Sequence, residues 1–223
     1  MADLSTHAGE RCIVIAEDHP LFRDALRLAV EGMSGDTRIV EAEDLTSLKT
    51  ALGELEDPDL VLLDLDIPGV SGFSGLLHLR AQYPQLPVAI VSATDDGVTV
   101  RRAIGFGASG FISKSAPLDD IRSAIETVLA GEVSAPSNID DNPDDEETQA
   151  AMAGLSSLTP QQSRVLAMIA EGLLNKQIAY ELSVSEATVK AHVSAVLQKL
   201  NVDSRTQAVI KLSRLGLNSA AST

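Results

Sequence analysis

Two carboxylates stand at the end of an apolar run in the first half of the chain. The run covers residues 60–63, leads directly into Asp64 and Asp66, and is stopped by Pro68. An unbroken apolar run of this length is typical of a strand that is buried on both faces. Reactive groups of open α/β sheets gather outside the C-terminal ends of the strands. We therefore expect Asp64 to stand where the chemistry of this chain takes place.

Other short apolar runs also end on polar side chains that could act with Asp64. These side chains are Glu17 and Asp18 after the first run, Ser92 after the fourth and Lys114 after the fifth. Glu17, Asp18 and Asp64 would repel one another without a cation, and carboxylates are ligands that Mg²⁺ prefers. With Mg²⁺ bound, Asp64 could attack a phosphoryl group while Lys114 stabilises the transferring oxygens and Ser92 bonds the product. A single acid would more often be a helix-dipole partner, but the set of five is not expected by chance.

The order of the apolar runs predicts a fold that would bring these side chains together. Between residues 10 and 130, five apolar runs alternate with five segments of helical spacing. This alternation is typical of an α/β, doubly wound, five-stranded parallel sheet with helices on both faces. The C-terminal ends of parallel strands lie at one edge, so the acids, the hydroxyl and the lysine would meet there.

The segment over residues 131–154 differs from its neighbours in composition. It carries 7 acidic and 0 basic residues, and the stretch from Asp140 to Glu147 has no large apolar side chain. Charge of one sign with few apolar groups is typical of a flexible linker. An exposed helix from Glu146 to Met152 is the alternative for part of this segment.

Residues 155–217 predict a small all-α domain. A helix follows Thr159-Pro160, a short helix covers residues 175–182, a longer one begins at Ser185, and Ser204 caps the last. A short helix, a brief turn and a longer helix form the helix-turn-helix pattern. From residue 155 onward there are 7 basic and 4 acidic residues, whereas the whole chain has a net charge of −15. The whole-chain charge argues against a nucleic-acid partner, but the local charge favours one.

The longer helix has one stripe of small and polar residues opposite its apolar stripe. The polar stripe includes Lys190, Ala191 and Ser194, with Thr188 beside it. In a major groove, lysine can reach guanine acceptors and a small apolar side chain can meet a thymine methyl group. Four basic side chains would bind phosphates and fix the register, namely Lys176, His192, Lys199 and Arg205.

The first half of the chain resembles a known family of signalling domains. Glu17-Asp18, the segment from Asp64 to Gly72, Ser92-Ala93 and the segment from Phe111 to Lys114 resemble the receiver domain of two-component response regulators. The resemblance covers residues 10–130 and implies a flavodoxin-like fold. It also implies that Asp64 accepts a phosphoryl group from a phosphohistidine of a histidine kinase.

The same resemblance implies roles for the side chains around Asp64. Glu17 and Asp18 would bind Mg²⁺, and the carbonyl of Asp66 would complete its ligand shell. Ser92 and Phe111 would change position together after phosphorylation.

The second half resembles the LuxR-type DNA-binding domain. The resemblance is carried by the segments 158–161, 175–179 and 185–193. Together the two resemblances imply a response regulator of the NarL/LuxR class, which is a DNA-binding transcription regulator and not an enzyme. Phosphorylation of Asp64 would control dimerisation and binding to double-stranded DNA. The last helix, from Gln207 to Leu215, is the expected self-pairing surface of the homodimer.

Three other functions agree with part of the sequence. A phosphatase of the haloacid dehalogenase type would use Asp64-Leu65-Asp66, but its motif usually opens the domain and has Thr or Val in place of Pro68. A ligand-gated LuxR regulator would need an aromatic pocket, and 4 Phe, 2 Tyr and no Trp supply little for one. A receiver that acts by protein contact would use the basic helices to bind a partner.

Composition also limits where the protein works. The single cysteine, Cys12, cannot form a disulfide within the chain, which fits a reducing compartment. No run approaches the roughly 20 apolar residues that span a bilayer. We therefore expect a cytoplasmic protein without a membrane partner.

Overall fold

The computed structural model describes residues 10–136 and 146–217 of the chain. In the first range, five strands alternate with five helices. The strands are β1 (Arg11–Ala16), β2 (Thr37–Ala42), β3 (Leu60–Asp64), β4 (Val88–Ser92) and β5 (Gly110–Ser113). The helices are α1 (Pro20–Glu31), α2 (Leu45–Glu54), α3 (Ser74–Gln82), α4 (Gly97–Gly105) and α5 (Leu118–Leu129).

The strands form one parallel sheet in the order β2-β1-β3-β4-β5. Every residue of β3 and β4 is buried, as their unbroken apolar sequences predict. One face of the sheet packs against side chains of α1 and α5, such as Leu26 and Ile125. The other face packs against α2, α3 and α4, through side chains such as Leu48 and Leu76. The predicted doubly wound α/β fold is confirmed.

Five more helices follow in the second range. They are α6 (Glu146–Ser156), α7 (Pro160–Ala170), α8 (Asn175–Glu181), α9 (Glu186–Lys199) and α10 (Arg205–Arg214). Helices α7, α8 and α9 share a core that contains Val165, Ile178 and Val189. The turn between α8 and α9 passes through Ser183 at a φ of 52°. Ser185 then caps α9, because its Oγ accepts the N–H of Thr188 at 3.1 Å. The predicted helix-turn-helix is therefore present as α8, turn and α9.

The acidic segment predicted as a linker has helical structure in its second part. Its residues 137–145 lie outside the described residues. Helix α6 begins at Glu146, in agreement with the alternative of a helix there. This helix is not exposed along its length, because Ala151 and Leu155 are buried. Gly154 lies so close to the carbonyl of Lys199 that a Cβ would collide with it. The small residues of α6 therefore allow it to pack closely on the end of α9.

The two described ranges pack against each other. Helix α3 contacts α7, and one apolar cluster extends from Phe73 to Leu166 and Leu217. The N–H of Phe73 donates to the carbonyl of Gly216 at 2.7 Å. A Cβ at Gly72 would collide with the same carbonyl. The loop that follows β3 is thus in direct contact with the chain after α10.

The last helix, α10, packs one side against its own domain. Its apolar side chains Ala208 and Leu212 are fully buried, and α10 contacts α7 and α9. The apolar stripe of α10 is therefore part of the core of the same chain, and the expected self-pairing of this helix stays a prediction. Ile210, at 49 % exposure, lies outside that core.

In the two described ranges, no helix combines the length and apolarity needed to cross a membrane.

Candidate functional site

Asp64 is the last residue of the central strand and lies at the C-terminal edge of the sheet. Strand β1 on one side leads into Glu17, and both carboxylates are fully buried. Lys114 follows β5 and reaches across the edge of β4. Its Nζ lies 2.9 Å from Asp64 Oδ2 and 2.7 Å from Glu17 Oε2. The structure thus brings together side chains that are 97 residues apart in sequence.

Several contacts hold Lys114 in this position. Its backbone N–H donates to the carbonyl of Ser92 at 2.8 Å, and its Nζ lies 5.2 Å from the centre of the Phe22 ring. Burial by itself would lower the pKa of Lys114. Hydrogen bonds and the charges of Asp64 and Glu17 outweigh that effect and raise the pKa above its ordinary value. The side chain is therefore a fixed ammonium at neutral pH.

The acidic side chains also form a group that fits a cation. Glu17, Asp18, His19 and Asp64 each offer one ligand atom, and these atoms lie within 4.8 Å of one another. Three carboxylates face a single ammonium here, so negative charge remains for a divalent cation to neutralise. The donor set, mainly carboxylate oxygen, is the chemistry that Mg²⁺ prefers.

Asp66 and His19 also lie at this pocket. The side chain of Asp66 is exposed and does not belong to the group of cation ligands, although its backbone N–H donates to Asp64 Oδ1 at 3.2 Å. The carbonyl role implied for Asp66 stays a prediction. His19 was not among the predicted ligands, yet its Nδ1 lies 2.8 Å from Asp18 Oδ1. In the sequence, the position of His19 directly after two acids was the signal that could have placed it at this pocket.

The predicted switch residues lie beside the pocket. Ser92 ends β4 at 1 % exposure, and its Oγ accepts the N–H of Thr94 at 3.1 Å. Phe111 lies in β5 at 2 % exposure, opposite Ile90 of β4. Both side chains are therefore enclosed, Ser92 at the end of the strand next to Asp64 and Phe111 one strand further away.

The second candidate site is the exposed face of α9. Its stripe is accessible along its length and consists of Ala187, Lys190, Ala191, Ser194 and Gln198. Thr188 is exposed next to it, His192 is half-buried, and Lys176 is exposed on α8. Lys190 forms an ion pair with Glu186, with Nζ 3.4 Å from Oε1. Small side chains around one long cation leave a surface that fits the floor of a major groove.

The structure does not bring Lys199 and Arg205 to this face. Lys199 Nζ donates to the carbonyl of Ser157 at 2.6 Å and to Gln162 Oε1 at 2.8 Å. Arg205 donates to the carbonyl of Leu173, and burial lowers its pKa from the usual value. Both cations serve backbone carbonyls near helix ends. These contacts could not be predicted from local sequence patterns, because the residues that accept the hydrogen bonds lie in distant segments of the chain.

Residues 13–126 match the family model described as response regulator receiver domain. Residues 156–212 match the model described as bacterial regulatory proteins, luxR family. The two matches fall on the sheet with its helices and on the helix-turn-helix, respectively.

Three relatives illustrate the similarity. The glycerol metabolism activator of Pseudomonas putida is 44 % identical over 205 residues, covering 89 % of this chain and 93 % of the relative. The nitrate/nitrite response regulator protein NarL of Escherichia coli is 30 % identical over 209 residues, covering 89 % and 93 %. A solved structure of two RcsB dimers bound to two parallel DNAs has a TM-score of 0.54 and 22 % identity, covering 92 % and 98 %. The first two of these relatives are regulators of transcription and not enzymes.

Proposed function

The chain belongs to the response regulators that join a receiver domain to a LuxR-type DNA-binding domain, and we propose that Asp64 is its phosphoacceptor. As a transcription regulator of this family, it would take its phosphoryl group from a histidine kinase. We assign the receiver domain to residues 10–130 and the DNA-binding domain to residues 155–217. The segment 131–154 joins them and includes most of α6.

The observation that carries the proposal is the ammonium of Lys114 between two buried carboxylates. One Asp64 oxygen attacks phosphorus as the P–N bond of the donor phosphohistidine breaks, and the leaving imidazole takes up a proton. Lys114 lies 2.9 Å from Asp64 Oδ2, which is close enough to stabilise charge on the transferring oxygens. The hydroxyl of Ser92 is one strand away and can bond the acyl phosphate.

The cation that the family uses would be held by this chain's own acids. Glu17, Asp18 and Asp64 would bind Mg²⁺, with the carbonyl of Asp66 and the nearby His19 at its margin. When bound, Mg²⁺ would neutralise the negative charge that gathers on the transferring oxygens.

We further propose that α9 enters the major groove of DNA. Lys190, Ala191, Ser194 and Thr188 would contact bases, and Lys176 and His192 would contact phosphates. The RcsB relative binds DNA as dimers, which supports a homodimer of this chain on its operator. A DNA-binding regulator of this kind would work in the cytoplasm.

The phosphoacceptor is tested by incubating the full chain with acetyl phosphate and Mg²⁺ and measuring the intact mass. We expect the mass of one phosphoryl group on the wild-type protein and none on Asp64→Asn. Asp66→Asn is the matched control, because it removes an exposed carboxylate but keeps the backbone carbonyl, and it should be labelled like wild type. Equal labelling of Asp64→Asn would contradict the proposal.

The coupling to DNA is tested by a gel shift on a duplex selected with the wild-type chain. Acetyl phosphate should increase the affinity of the wild-type protein and leave that of Asp64→Asn unchanged. The same affinity with and without phosphodonor in both proteins would exclude regulation through Asp64.

A further inference from the structure

The exposed face of α9 carries one acid among its bases. Glu186 is the first residue of α9 and stands four positions before Lys190, so the two share a face of the helix. Their charged atoms are 3.4 Å apart, and the side chains are 51 % and 65 % exposed. An acid at this place lies on the part of a recognition helix that meets base edges.

Helix stability requires little of this acid, since its place in the first turn contributes only modestly through the helix dipole. Ser185 already caps α9 through its Oγ and the N–H of Thr188. Exposed ion pairs of this kind contribute little to folding. A carboxylate facing DNA, by contrast, repels phosphates and opposes every non-specific contact.

The shortage of free cations in this domain increases the effect of Glu186. In the described part of the DNA-binding domain, three of the cations donate to backbone carbonyls, namely Lys199, Arg205 and Lys211. Lys176 and Lys190 are the exposed lysines on α8 and α9. Holding Lys190 in an ion pair therefore removes a large share of the positive charge that this face offers to DNA.

We propose that Glu186 is a specificity-determining residue of the DNA-binding face, an inference that rests on the proposed function. Away from the operator, its carboxylate holds Lys190 and repels the phosphate backbone. On the operator, Lys190 turns to the acceptors of a guanine, and Glu186 accepts a hydrogen bond from the N4 amino group of a cytosine. Four residues of helix rise about 6 Å, so the two bases lie within about two base-pair steps.

The test selects duplexes from a random pool with the full chain and its Glu186→Gln variant. The wild-type pool should show a cytosine near a guanine in each half-site. In the variant pool that cytosine preference should move to adenine, because an amide pairs with adenine N6 and N7. The guanine should persist in both pools.

Binding titrations on the selected duplex and a scrambled one give the second readout. Glu186→Gln should bind the scrambled duplex several-fold more tightly, with a log–log salt slope steeper by about 0.9, because Lys190 is released to phosphate. The ratio of selected to scrambled affinity should fall about ten-fold, as expected for one lost base contact.

Asp203→Asn is the matched control, because it removes one exposed acid beyond the other end of α9. It should keep the wild-type pool and affinity ratio, and circular dichroism should show equal helix content for all three proteins. If Glu186→Gln selects the same sequences with the same ratio of selected to scrambled affinity, Glu186 is only a helix-terminal acid. The inference then fails, while the proposed DNA-binding function stands. If the wild-type chain binds no duplex at low salt, the proposed DNA-binding function fails as well.

Discussion

Lys114 is the residue on which the charge balance of the acidic pocket depends. Glu17 and Asp64 are fully buried, and both are ion-paired to this ammonium. Buried carboxylates are tolerated when they are paired, and removal of one partner leaves an uncompensated charge. The same cation therefore stabilises the fold and would also act in the proposed phosphoryl transfer.

Lys114→Met should lower the free energy of unfolding by roughly 3 kcal/mol at pH 7 without divalent cations, because it leaves a buried ion pair broken. Urea denaturation with and without Mg²⁺ measures this, and Mg²⁺ should restore part of the loss. The exposed residue Lys49 provides the control, since Lys49→Met should change stability by no more than about 0.5 kcal/mol. An unchanged midpoint for Lys114→Met would show that the pair does not stabilise the fold.

At the scale of elements, the contact between the loop before α3 and the chain after α10 depends on a close backbone approach. Gly72 has a φ of 51° and no room for a Cβ beside Gly216. The N–H of Phe73 closes the contact by donating to Gly216. The loop after β3 and the end of α10 therefore fit together only with glycine at position 72.

Gly72→Ala should open this contact, because the added methyl group collides with the Gly216 carbonyl. We expect faster hydrogen exchange at the Phe73 amide and a larger radius of gyration by small-angle scattering. Gly131→Ala is a matched control, with a φ of 84° and nothing within 4 Å of its Cβ, so it adds backbone strain without a collision. Equal exchange at Phe73 in both variants would contradict the assigned role of Gly72.

His78 lies on α3 and makes the stability of the folded chain sensitive to acid. Burial, with a smaller effect of Lys49, lowers the pKa of His78 to about 4 from 6.5. As the pH falls below about 6.5, His78 is protonated in the unfolded chain but not yet in the folded one. The free energy of unfolding therefore declines until the pH reaches about 4. The decline attributable to His78 is roughly 3 kcal/mol at most.

His78→Gln should remove that part of the decline, because an amide of similar polarity does not titrate. Urea midpoints at pH 7 and pH 5 compare the two proteins, and the wild-type chain should lose more stability between these values. His192→Gln, on the DNA-binding face, should behave like wild type in this assay. If His78→Gln loses as much stability between pH 7 and pH 5 as the wild-type chain, other groups cause the sensitivity to acid.

At the scale of the whole molecule, charge is divided between the two domains. The chain has a net charge of −15, but its residues from 155 onward carry 7 basic and 4 acidic side chains. The exposed stripe of α9 faces solvent while α3 and α7 are in contact. The domain contact and the DNA-binding face therefore occupy different surfaces.

This distribution predicts weak non-specific DNA binding with a shallow salt dependence. With Lys176 and His192 as the phosphate contacts and Lys190 held by Glu186, the log–log slope should lie between about −1 and −2 per monomer. Fluorescence anisotropy on a scrambled duplex over a range of salt measures it, and Lys176→Gln should reduce the slope by about 0.9. A slope near −4 per monomer would require that Lys199 and Arg205 leave their carbonyl partners and bind phosphate.

The sequence by itself determined the sheet, the helix-turn-helix and the pocket around Asp64. Each follows from local patterns: a buried strand has an unbroken apolar sequence, a cap precedes its helix, and parallel strands end at one edge. For this reason Glu17, Asp64, Ser92 and Lys114 could be grouped without coordinates.

Only the tertiary structure decided which side chains that the sequence places on the surface make contacts within the chain instead. The apolar stripe of α10 packs into its own domain, and Lys199 and Arg205 bind carbonyls from other helices. The position of His19 over Asp18 depends in the same way on how the chain turns after β1. The sequence pattern predicts the apolar and polar faces of a helix. The partner of each face depends on long-range packing, because every buried polar group needs a hydrogen-bond partner and every apolar group needs close contacts.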